Sequence, residues 1–233
     1  MGIALLSSEG LLFILRWLHF VFGIIWIGHL YYFNFTQTPF MAETDAATKA
    51  GVVQKLVPRA LWWFRWGAMF TFITGWLIIG HRLSTIPGML GSSWGLAILT
   101  GGLLGSLMWY NVWFVIWPNQ KVVIQSAVQV AGGGQAIPEA AGLASRASVV
   151  SRTNVLFSIP MLFFMGAASH LPITVTATNL TGYWVAFAVI LGLLQYNALK
   201  GKLGPMATVK GVIHMGVLLT LVLYFAMELL TKV

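Results

Sequence analysis

The sequence contains no cysteine. That absence excludes disulfides, thiolate metal centres, iron–sulfur clusters and covalent c-type haem, whose attachment needs C-x-x-C-H. Charge is almost as scarce. Only 8% of the 233 residues are charged and five are acidic, against roughly 25% charged residues in soluble domains. The carboxylates are Glu9, Glu43, Asp45, Glu139 and Glu228. None lies in the middle of an apolar run, so a carboxylate proton relay at membrane depth has no residues to use. No phosphate-binding glycine loop, nucleophile elbow or zinc-protease motif stands in a supporting context. There is no internal repeat and no low-complexity segment.

What the chain does have is apolar surface. Hydrophobic residues make up 58% and the mean hydropathy is +0.85, a composition that belongs to a polytopic membrane protein. A spanning helix needs about 20 apolar residues. Runs near that length occur at Leu11–Phe35, Leu61–Gly80, Trp94–Trp117, Val155–His170, Tyr183–Leu199 and Gly211–Leu230. The expected fold is therefore all-α: one integral membrane domain over residues 1–233, a bundle of about six transmembrane helices. Ser7 or Ser8 with Glu9 marks the start of the first helix. With no basic n-region and no small-residue cleavage site before it, that helix reads as retained. Pro39, Pro58, Pro87, Pro118, Pro172 and Pro205 fall between spans or at their edges, where helices are expected to end. Trp62, Trp63 and Trp66, then Trp113 and Trp117, resemble interfacial belts.

The net charge is +8. In a membrane protein, basic loops explain such an excess better than a nucleic-acid partner does. Lys49, Lys55 and Arg59 lie in the first connection, Lys121, Arg146 and Arg152 in the third, and Lys200, Lys202 and Lys210 in the fifth. The second has only Arg82 and the fourth, Leu171–Gly182, has none. Positive-inside then predicts cytoplasmic odd-numbered loops and both termini on the outer side. The third connection, Pro118–Arg152, opens with "KVVIQSAVQVA", which reads either as a short amphipathic helix along the interface or as a flexible linker ended by Gly132–Gly134. "GGLLG", Gly101–Gly105, reads as a close-packing helix face.

With acids and thiols gone, the remaining chemistry belongs to His19, His29, His81, His170 and His214. A neutral imidazole inside a helix bundle suits axial ligation of a b-type haem. At about 1.5 Å per residue, His29 and His214 come to similar depths near the cytoplasmic side. His19 and His170 pair on the outer half only if the fourth helix sits inward. His19 and His29 differ by about 80° around their helix and so occupy two environments. Each ring has an ordinary alternative as a hydrogen bonder to a neighbouring helix, and His81 beside Arg82 reads as interfacial. Arg16 and Arg65 either snorkel to headgroups or pair with haem propionates. "WYNVWFVIW", Trp109–Trp117, reads as helix packing, with Asn111 inside it needing a protein partner.

The stretches "LRWLHFVFGIIWIG", "PRALWWFRWGAMFT", "NVWFVIWPNQ" and the run from "NVLFSIPMLFFM" to "SHLP" resemble the N-terminal membrane domain of the membrane-bound, cytochrome c-linked urate oxidases. The resemblance covers Leu15 to about Pro172, with His19 and His170 on matching motifs. It implies a multi-pass protein of the bacterial inner (plasma) membrane with a redox role. Full-length members continue into a soluble cytochrome c domain. No C-x-x-C-H occurs here, so a cytochrome c would be a separate partner. Three functions are expected from these readings. The first is a cytochrome b-like redox subunit that passes electrons between a quinone or dehydrogenase and a separate cytochrome c. The others are a cofactor-free structural subunit of a larger respiratory or photosynthetic complex, and an enzyme of the urate-oxidising type.

Overall fold

Apolar runs punctuated by Ser, Asp and Thr caps give six long helices. The computed structural model describes residues 3–173, 175 and 180–231. Part of the fourth connection and the chain ends therefore lie outside the described residues. Helix α1 is Ser8–Glu43 and begins where the Ser7 side chain accepts from Gly10 N at 3.1 Å. Helix α2 runs over residues 46–85, with Asp45 accepting from the amides of Ala47 and Thr48. Helix α3 is Ser93–Ala131, capped by Ser92 on Gly95 N. Helices α4, α5 and α6 are Ala140–His170, Leu180–Lys200 and Val209–Leu230. No strand forms among the described residues.

Among the described residues, five of these six are long and apolar enough to cross a membrane, α2 being the exception. Its length suffices, but Trp62, Trp63, Trp66 and Arg65 lower its hydropathy. It lies antiparallel on α1. Gly67 has the backbone of Phe22 and Trp26 where a Cβ would stand, and the Phe22 and Phe70 rings meet at 4.8 Å.

Three helices run through prolines at which they were expected to end. π-helical turns occupy Tyr32–Gln37, Val52–Leu56 and Asn111–Ile116. Each closes two residues before a proline: Pro39, Pro58 and Pro118. Proline has no N–H to give and its ring collides with the carbonyl four residues back. A widened turn absorbs both problems without breaking the rod. The 36 residues of α1 and 39 of α3 thus reach about 54 Å and 58 Å, well past a hydrocarbon core of about 30 Å. "KVVIQSAVQVA" is neither a separate interfacial helix nor a linker; it continues α3 to Ala131. The true connection is residues 132–139, tied back by Ile137 N donating to Ser126 Oγ at 3.0 Å. Gly133, at φ +86°, makes the turn that a residue with a Cβ resists. Helix α4 starts at Ala140 rather than near Val155, which puts Arg146 and Arg152 on a helix instead of a loop.

Helix α4 is the axis of the bundle: 67% of its most apolar stretch is buried, against 17% for α1. Met161 and Met165 fill the space beside Gly101, and Met161 Sδ lies beside Gly105, so "GGLLG" is the close-packing face it was expected to be. Ile159 occupies the space a Cβ on Gly216 of α6 would need. Leu104, Met108, Phe157, Phe164, Tyr183 and Leu223 complete this core.

Candidate functional site

His29 sits on α1 facing α2. Its Nδ1 lies 2.7 Å from the carbonyl oxygen of Ile25. A carbonyl only accepts, so Nδ1 carries the proton and donates, and Nε2 keeps its lone pair. Ligating imidazoles are commonly fixed in this way, through the nitrogen that does not bind metal. His29 borders an open groove of about 620 Å³ whose other walls include Gly28, Tyr32, Arg59 and Trp63. Gly28 leaves room beside the ring, Arg59 brings an exposed cation, and Trp63 adds a flat apolar surface. The groove thus brings together one imidazole and one cation.

His19 is different. Its Nδ1 is 3.1 Å from Thr74 Oγ1, whose own proton goes to Phe70 O at 2.6 Å. Thr74 therefore accepts from His19, and the ring lies against Gly75, where a Cβ would strike its Cε1. The two imidazoles of α1 occupy separate environments, one inside the α1–α2 contact and one at its edge. His170 ends α4 in an exposed position, and His214 is exposed on α6. Neither touches His19 or His29 among the described residues, and no group of three potential metal-binding side chains forms there. The depth match between His29 and His214 does not become a facing pair within this chain. The groove is lined by α1 and α2, whereas α6 packs on α4 and α5.

The arginines part company as well. Arg16 is half-buried one turn before His19. The Arg65 guanidinium lies 3.9 Å from the centroid of Trp117, and its carbonyl accepts from Trp113 Nε1 at 3.1 Å. A cation held over an indole is already compensated. Arg59, not Arg65, borders the His29 groove.

Sequence reasoning singled out Asn111 but not its partners. Asn111 Nδ2 donates to Asn154 Oδ1 at 2.9 Å and Gln195 Oε1 at 3.0 Å. Gln195 Nε2 returns a bond to Asn111 Oδ1 at 2.6 Å, and Asn154 Nδ2 reaches Met108 O at 3.0 Å. Nearby, Asn34 Nδ2 donates to Ser151 Oγ at 2.8 Å. Asn34 and Asn111 both belong to π-helical turns, and in each case the widened turn carries an asparagine to α4. Asn111 spends both of its amide protons within this cluster, which ties α3, α4 and α5 together. The only signal in the sequence was an amide standing in an apolar run.

A family profile described as urate oxidase N-terminal matches residues 89–227, more than half of the chain. The chain belongs to the urate oxidase N-terminal family. It is a multi-pass membrane protein related to oxidoreductases. The match takes in α3 to α6 and begins at the turn Met89–Gly91 that leads into α3. It holds His170, His214 and the Asn111 cluster, while the His19 contact and the His29 groove, on α1 and α2, lie outside it. No curated protein and no solved structure matches the chain.

Proposed function

We propose that this member of the urate oxidase N-terminal family is a membrane redox subunit that holds a b-type haem in the α1–α2 groove. It would pass electrons between a quinone or dehydrogenase and a separate cytochrome c. The observation that carries the reading is the His29 tautomer: Nδ1 is committed to Ile25 O, and the basic nitrogen belongs to a residue lining an open groove. Bound there, haem would supply one-electron transfer. His29 Nε2 would ligate iron, Arg59 would meet a propionate, and Ile24, Ile25 and Leu56 would keep water from the ring. His19, His170 and His214 remain candidates for other ligand roles in an assembly, with Arg16 as an outer-side charge partner. The inner membrane of a bacterium is the setting proposed for it.

The optical spectrum of the detergent-solubilised protein tests this directly. Split Soret and α-band absorption is expected in the wild type, and His29→Ala should bleach it. A colourless preparation, or an unchanged spectrum in the variant, would reject haem ligation by His29. The exposure of His170 and His214 favours a second reading, a cofactor-free structural subunit of a larger respiratory or photosynthetic complex. Co-purification with fixed partners at zero iron content would select it. Urate consumption by membranes supplied with cytochrome c would instead point to an enzyme of the urate-oxidising type.

A further inference from the structure

A low-spin b-type haem takes an imidazole on each face of its ring and carries two propionates. The α1–α2 groove supplies half of that set. His29 has Nδ1 tied to Ile25 O, which leaves Nε2 as its one free ring nitrogen. Arg59 is the one guanidinium in the wall, and no other histidine lines it among the described residues. His19 is held by Thr74 inside the helix contact. The helices that carry His170 and His214 contribute nothing to the groove.

The missing half has to come from outside the chain, and the groove faces outward. Ile24, Gly28, Leu56, Arg59 and Trp63 in its wall are all exposed. Along α1, the exposed side chains Phe13, Trp17, Phe20 and Ile24 follow one another at three- and four-residue steps and lead to Gly28, so they form one stripe. A Cβ on Gly28 would meet nothing within 4 Å, and a bare glycine in a membrane helix lets another helix come close. The contacts of His19 with Gly75 and of Gly23 with Thr71 fix the register of α1 on α2. Arg59 then stands between one and two turns beyond His29, towards the connection that joins the two helices.

We propose that a second copy of this chain completes the set: two copies meet groove to groove and share one haem between their His29 side chains, a proposal that rests on the haem reading of the groove given above. An isologous contact supplies each residue twice, hence two imidazoles for the two faces and two guanidiniums for the two propionates. Haem accommodates that symmetry. A two-fold axis in the plane of the ring, passing between the propionates, exchanges both its faces and both its propionates. Two copies inserted in the same direction are related by an axis along the membrane normal, and Arg59 is offset from His29 along that direction. The two His29 rings stand at one depth by symmetry. Two Arg59 cations brought together would repel, and two propionate anions balance them.

The test uses full chains with two different affinity tags, co-expressed and purified through both tags in turn. Wild-type pairs are compared with mixed pairs in which one copy is His29→Ala. Haem per chain is measured as the pyridine haemochrome, and spin state by electron paramagnetic resonance. Wild-type pairs should hold one low-spin haem for every two chains. In mixed pairs the low-spin signal should disappear, and added imidazole should restore it by taking the vacant face. The wild-type ratio carries the test if mixed pairs do not form. One low-spin haem per chain, mixed pairs that keep half of the wild-type low-spin signal, or wild-type chains that never pass both tags together would overturn the shared haem and leave ligation by His29 standing. Loss of the low-spin signal in His214→Ala would likewise overturn it, by placing the second imidazole elsewhere. A colourless wild type would overturn the haem reading itself and this proposal with it.

Discussion

Asn111 donates to two partners and accepts from one of them, so its removal leaves three polar atoms of Asn154 and Gln195 without that bond. Each buried group left unsatisfied costs about 1–3 kcal/mol. Asn111→Leu should therefore lose at least about 2 kcal/mol in reversible unfolding from detergent. Gln195→Leu should lose less, because Asn111 keeps Asn154 and position 195 is only half-buried. Asp45, outside the spans, gives a pH signature. Hydrogen bonds from the Thr48 side chain and backbone, then from Ala47, hold its carboxyl below the ordinary carboxylate range. A depressed folded pKa contributes stability above the unfolded value, and that contribution is lost as pH falls through the folded one. Protection of the Ala47 and Thr48 amides, relative to their intrinsic exchange rates at each pH, should fall on acidification through that lowered range, and Asp45→Ala should remove this change in protection. At this scale the sequence disclosed that Asn111 needed a partner. It could not say which partner, because a donor's direction depends on how helices are rotated against one another. The buried state of Arg152 was hidden for the same reason: a basic residue beyond an apolar run looks like a loop residue.

Close approach between helices sets the predictions for whole elements. A Cβ at Gly101 would press on the carbonyl of Met161 as well as on the Met165 side chain, and a backbone cannot move aside as a side-chain tip can. Gly101→Val should cost about 1–3 kcal/mol or more. Gly80 has nothing within 4 Å of the place a Cβ would take, so Gly80→Ala should be neutral or gain up to about 1 kcal/mol from helix propensity. Thermal unfolding of the two variants side by side checks the contrast. The six apolar runs were legible because lipid imposes its own length on a helix. How far α1, α2 and α3 continue beyond those runs was not. Hydropathy records only the part of a helix that lies in hydrocarbon, and a π-helical turn of six residues leaves no periodicity to detect. The depth match of His29 with His214 says nothing of facing for a related reason. Rise per residue gives height, while the arrangement of the bundle around α4 decides which helices face each other.

For the whole molecule, the absence of cysteine makes orientation directly measurable. Single cysteines introduced at Leu90 and at Gln135 lie in connections at opposite ends of the bundle. The distribution of lysine and arginine predicts that Leu90→Cys reacts with a membrane-impermeant maleimide applied from outside intact cells. Gln135→Cys should react only after permeabilisation. Reversed labelling would invert the topology and move the proposed His29 groove to the outer leaflet. The all-helical, multi-pass architecture and the family were readable from composition and motifs. The central role of α4 was not, since its shortest apolar run belongs to its most buried helix.

The paired asparagines also bear on how the molecule bends. Asn34 meets α4 at Ser151 and Asn111 meets it at Asn154, so two of the three widened turns stand at nearly one height. Each inserts an additional residue, which rotates everything beyond it by about 100°. The buried stripe of α3 consequently keeps a four-residue step through Leu104, Met108, Val112 and Ile116, and the widened turn holds that one side against the central helix.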